Sequence, residues 1–136
     1  MSYGVSAALQ AAIFQALTAD AALAALVGTA IYDAVPSGNL PPLYVTLGPE
    51  TARAAHDKTG RGALHHVSVD VVTTAPGFAQ AKQTAGAVCD ALDQADLPLS
   101  RGRLVYLNFN RATASRSDQA AGRTITLRFA ARTEDI

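Results

Sequence analysis

The stretch ALHHVSVDVVTTAPGFAQAKQTAGAVCDALDQA, residues 63–95, decides how the rest of the chain must be arranged. Its first third alternates with a period of two. His65, Val67, Val69 and Val71 fall on one side, and Leu64, His66, Ser68 and Asp70 on the other. Successive side chains of an extended chain point to opposite faces, so this pattern reads as a half-buried β-strand. Pro76 stops the strand, and the period then changes. Phe78, Ala81, Ala85, Val88 and Leu92 recur three and four apart, which is one stripe of a helix. The expectation is a long strand running into a helix over 76–95, with everything else packed on that unit.

Composition bounds what can surround it. A length of 136 residues suits one domain spanning 1–136. Apolar residues make up 49%, but many are alanines and aromatics are only 6%. Such a core is thin, its elements approach closely, and part of the apolar surface is available to a partner. Cys89 is the sole cysteine, which excludes an internal disulfide; within the helical stripe it reads as a small buried hydrophobe. No basic leader precedes an apolar run and no eighteen consecutive residues are apolar, so the expectation is a chain made and folded in a cytosol, without a membrane span.

Net charge is zero but unevenly placed. Residues 1–52 carry Asp20, Asp33 and Glu50 and no Lys or Arg. Residues 101–132 carry seven arginines against Asp118 alone, a balance of +6. One acidic end and one basic end suit head-to-tail self-association. The competing reading is that arginines solvate the outer face of two strands.

Working outward, Val5, Leu9, Ala12, Ile13, Ala16 and Leu17 form a helical stripe, giving a helix over 5–17. Asp20 suits the N-cap of a short helix over 21–27, closed by Gly28. Residues 31–33 form a short strand and 36–42 a Pro/Gly-rich loop. A strand over 43–47, extending towards 55, and the strand at 63 flank a polar link, 56–62, as the arms of a projecting antiparallel hairpin. Strands over 103–114 and 123–132 form a second hairpin around a loop at 115–122. Val105, Leu107 and Phe109 face inward on the first arm, and Ile125, Leu127, Phe129 and Ala131 on the second. The tail, 133–136, is expected to fray. The order α-(α)-β-β-β-α-β-β makes an α+β fold: one mostly antiparallel sheet of four to five strands with two long helices on one face. The other face carries His66, Ser68, Asp70, Tyr106, Asn108, Thr124, Thr126 and Arg128.

No catalytic set emerges. His65 and His66 are adjacent in a strand and point apart, so they cannot share a metal; His65 reads as a satisfied residue at the core edge and His66 as a surface residue. Serines lack a nucleophile elbow, and Gly60 and Gly62 lack a phosphate-loop context. Asp90, Asp93 and Asp96 read as a solvated helix end. The cations carry more information. Arg53, Lys58 and Arg61 gather around the first hairpin tip, and Arg111, Arg116, Arg123 and Arg128 line the second hairpin. Without interleaved aromatics they do not form a single-strand-binding groove, although non-specific proximity to DNA is compatible with them.

The order and phrasing of several segments resemble a known family. These are ALQAAIFQALTADAALAALVGTAIYDAVP (8–36), PPLYVTLGPE (41–50), HHVSVDVVTTAPGFAQAKQTAGAVCDAL (65–92), GRLVYLNFNRA (102–112) and GRTITLRFAARTED (122–135). Together they look like the tail-terminator, or tail-completion, proteins of long-tailed phages, in the form found in prophages and gene transfer agents of α-proteobacteria. The resemblance covers nearly the whole chain and includes no catalytic signature. It implies a structural virion protein, not an enzyme, without a cofactor. It further implies a homo-oligomeric, usually hexameric, ring on the head-proximal end of the tail tube. Such a ring ends tube polymerisation, binds the major tail tube protein on one side and the neck or head-completion protein on the other, and lets DNA through its lumen. The location implied is the tail–neck junction of a particle assembled in the bacterial cytoplasm. Partner-binding expectations fall on Arg53, Lys58, Arg61, Arg111, Arg116, Arg123 and Arg128. The alternatives are a connector ring of the same neck, a small ferredoxin-like ligand-binding domain, and a dimeric nucleic-acid-binding module.

Overall fold

The computed structural model describes residues 3–55, 61–116 and 122–135. The elements are α1 (Ser6–Ala19), α2 (Ala21–Val27), β1 (Ile31–Tyr32), β2 (Leu43–Ala54), β3 (Arg61–Thr73), α3 (Ala79–Leu92), β4 (Arg103–Arg116) and β5 (Arg123–Asp135). The five strands form one sheet in the order β1-β2-β3-β5-β4. β1 runs parallel to β2, and every other pair is antiparallel. The α+β class and the mostly antiparallel sheet follow the periodicities in the sequence.

Local chemistry explains the element boundaries. α1 is rich in alanine and ends at Asp20, whose Oδ2 accepts a hydrogen bond from the Leu23 N–H and so caps α2. The two helices bend by 73° there. No single described helix is long and apolar enough to cross a membrane. Gly28, at φ +61°, closes α2 with its N–H on Ala24 O.

The core lies between the helices and one face of the sheet. Val67, Val69 and Val71 of β3 and Ile125, Leu127 and Phe129 of β5 meet Leu9, Ile13 and Leu17 of α1 and Ala81, Val88 and Leu92 of α3. Burying each large aliphatic contributes about 1.5–3 kcal/mol. Alanines on α3 allow the close approach expected from the composition.

Four expectations require correction. The tail does not fray as far as Asp135: Thr133, Glu134 and Asp135 pair with Ala63, Gly62 and Arg61, and Thr133 is buried. Val105 does not face the core. The β4–β5 register shifts between Leu104 and Tyr106, so Leu104 and Leu107 are buried and Val105 is exposed. This is the effect of a bulge, which inserts a residue and breaks the period. β4 continues through Arg116, past the expected start of a loop. Finally, Asp93 is not merely solvated: its Oδ1 accepts from the Phe109 N–H at 2.8 Å.

Candidate assembly surfaces

The register places the two long hairpins' connections at opposite ends of the sheet. Arg61 lies opposite Asp135 at one end, and Thr73 lies opposite Arg123 at the other. The β2–β3 connection therefore leaves at the Arg61 end, and the β4–β5 connection at the Arg123 end, where Arg116 pairs with Arg123. The expected partner residues fall into two groups accordingly. Arg53 and Arg61 belong to the first end, while Lys58 lies outside the described residues. Arg116 and Arg123 belong to the second. Arg111 and Arg128 sit directly opposite one another part-way along the same ladder.

The arginines of the β4–β5 pair differ in their neighbours. Arg101, just before β4, donates to Asp135 through Nε (3.1 Å) and a terminal nitrogen (2.7 Å). Arg103 makes the corresponding pair with Glu134. These bonds lower the pKa of Asp135 and raise that of Arg101. The local positive charge is thus smaller than the arginine count over 101–132 implies, because its carboxylates lie in the tail. Arg111, Arg116 and Arg128 form no ion pair among the described residues. Like charges directly across a ladder are unfavourable. On the same outer sheet face, His66 has a lowered pKa, through partial burial first and then the nearby Arg128 and Arg53. Around Phe78, the Arg123 guanidinium lies 5.2 Å and the Lys82 ammonium 5.8 Å from the ring centre, distances suited to cation–π attraction.

The edge strand β4 is closed along part of its length. The turn after α3 blocks it where Gln94 N–H donates to Leu107 O at 2.7 Å and Asp93 accepts from Phe109. Beyond this clamp, residues 110–116 are all exposed. Between them and α3 runs an open groove lined by Lys82, Ala85, Gly86, Cys89, Phe109 and Ala112, among others. Phe109 meets Phe129 edge-on at 5.9 Å and keeps 41% of its surface exposed. Cys89 has a raised thiol pKa, from burial first and then Asp93 and Asp90. A raised pKa reduces the thiolate fraction, the opposite of an activated nucleophile.

His65, expected as a satisfied residue at the core edge, lies inside a buried polar network whose other members periodicity does not mark. His65 is fully buried, with Nδ1 3.2 Å from Glu50 Oε2 and Nε2 3.0 Å from Thr133 Oγ1. Glu50 also accepts from Ser6 Oγ and Tyr3 OH. The network fastens the start of α1 to β2, β3 and β5. The available signal was His65 itself, a polar residue in register with three inward valines, which needs partners. Among the described residues, no group of three His, Cys, Asp or Glu could hold a metal ion.

Comparisons with known proteins place the chain in a family. A family profile described as tail completion protein gp17 matches residues 11–134. No curated protein matches the chain. A solved chain from a structure described as the virion of a native gene transfer agent (GTA) particle is 60% identical. That match covers 98% of this chain and 99% of the other, with a TM-score of 0.92. The chain is therefore a structural virion component with a tail role, and it belongs to the tail completion protein gp17 family.

Proposed function

We propose that this chain forms a ring, six copies in number, that caps the head-proximal end of the tail tube. The ring ends tube polymerisation and joins the tail to the neck at the tail–neck junction, and DNA passes through its lumen. The observation that carries this reading is the separation of the two long hairpins' ends across one sheet. A terminator must hold two different partners on two sides. A subunit with Arg53 and Arg61 at one end and Arg116 and Arg123 at the other offers two separate contact ends on one sheet. A closed ring further requires two different, complementary lateral patches on every copy. The acidic N-terminal part and the arginine-bearing β4–β5 ladder are the candidates. The tube protein and the neck protein are the partners at the two ends, and no cofactor or catalytic step is involved.

The reading is tested by locating the chain in particles that have tails but no heads. A terminator remains with the tail. A connector ring of the same neck is absent from such tails, and that result would replace the proposal. The role of the hairpin end is tested separately by Arg53→Ala with Arg61→Ala: impaired tail joining by an otherwise folded chain supports it, and unimpaired joining removes it.

A further inference from the structure

We infer that the groove between α3 and β4 receives the outward face of α1 from the next copy of this chain. This inference rests on the ring reading and specifies its lateral contact. The two surfaces lie on opposite flanks of the subunit. β4 is one edge of the sheet, whereas α1 lies between α3 and β1, the strand at the other edge. One flank of each copy can therefore meet the opposite flank of the next, the head-to-tail arrangement that closes into a ring.

Shape favours a helix as the occupant. The groove is built from small side chains: Ala85 and Gly86 on α3, Ala112 and Ala114 on β4. A Cβ added at Gly86 meets nothing within 4 Å. The outward flank of α1 presents Ala7, Gln10, Ala11 and Phe14, with Asp33 beside them. Small residues at spacing four, with the half-buried Phe14 beside them, form a helix face that seats in a groove.

Charge favours this occupant over one of arbitrary sequence. α1 carries no charged residue, so it can cover apolar surface without burying an unpaired ion. The acid beside it, Asp33, is exposed and accepts from Gln10 Nε2. No Lys or Arg occurs in residues 1–52. The opposing groove presents the exposed Lys82. The clamp made by Asp93 and Gln94 closes the lower part of the β4 edge, which confines the docking surface to the segment around Ala112 and Ala114.

The test uses assembled particles or tails. A chain carrying Ala11→Cys, Gly86→Cys and Cys89→Ser is incorporated and treated with short bismaleimides of graded length. Head-to-tail contact predicts a ladder of cross-linked species up to the full ring, while either engineered cysteine alone gives no ladder. In parallel, Gly86→Leu fills the groove where the free chain has open space. It is expected to leave the melting temperature unchanged and to abolish ring formation, and Phe14→Ala is expected to weaken it. If a ring is visible, no ladder forms and Gly86→Leu assembles like the native chain, the contact lies elsewhere and this inference falls while the ring reading stands. If Gly86→Leu blocks tube or neck attachment but leaves the ring intact, another virion protein occupies the groove, which also overturns it. If native particles contain no ring of this chain, the ring reading itself fails.

Discussion

The two ends of the β4–β5 ladder are built from the same two strands and carry arginines throughout, yet they are different kinds of surface. At the end bearing Arg103 and Glu134, ion pairs neutralise the arginines and Leu104, Leu107 and Thr133 are buried. The α3 turn blocks the edge just beyond, at Leu107 and Phe109. At the end bearing Arg116 and Arg123, residues 110–116 are exposed, Arg111 stands opposite Arg128, and a groove opens beside α3. An arginine count cannot separate these situations; the neighbours do. The first end completes the fold, and the second stays exposed.

Substitutions can break that contrast in graded steps. The largest loss of stability is expected at the closed end. Leu107→Ala removes a fully buried side chain and should cost about 2–5 kcal/mol in chemical denaturation. Six residues later on the same strand, Thr113→Ala should cost less than about 0.5 kcal/mol, because it is exposed. Equal costs at the two positions would contradict the division. Glu50→Ala, which leaves His65, Ser6 and Tyr3 without their shared acceptor, should cost about 1–3 kcal/mol.

At the open end the expected readout is assembly. Arg111→Glu combined with Arg128→Glu should leave the melting temperature within a few degrees of native while preventing incorporation into tails. Normal incorporation would show that these arginines only solvate the strand. Arg101→Ala tests the opposite case. It should lower stability slightly above the carboxylate range and more weakly at high salt. Asp135 has a lowered folded pKa, so its stabilisation is present above its unfolded value and is lost as pH falls through the folded one. Arg101→Ala should therefore flatten the acid limb of the stability–pH curve.

The smallest effect is at His66. Its folded pKa is lowered, so the unfolded chain binds the proton more readily and this group removes stability as pH falls below its ordinary value of 6.5. Arg128→Ala should move the His66 titration upward by NMR; a downward move would show that Arg128 is not the neighbour it senses.

Much of this fold was legible because its strands and helices keep clean periods. The alternation from His65 to Val71 and the stripe from Phe78 to Leu92 each depend only on local geometry. The sheet order was not legible, since β3 pairs with β5 across the intervening α3 and β4, and spacing alone does not select that partner. Val105 was misplaced because a bulge changes the period without a Gly or Pro to mark it. Glu134 and Asp135 looked like a fraying tail because their partners, Arg103 and Arg101, lie over thirty residues away. The arginines were identifiable as charges, but the groove was not: Lys82, Gly86, Phe109 and Ala112 meet only through the tertiary fold.

Cryo-electron microscopy of the complete particle would show where this chain lies and with what symmetry. The expected result is a closed six-fold ring between the last tube ring and the neck, with adjacent copies touching flank to flank around a DNA-wide lumen. A chain found elsewhere in the particle, or present at that boundary without forming a ring, would contradict it.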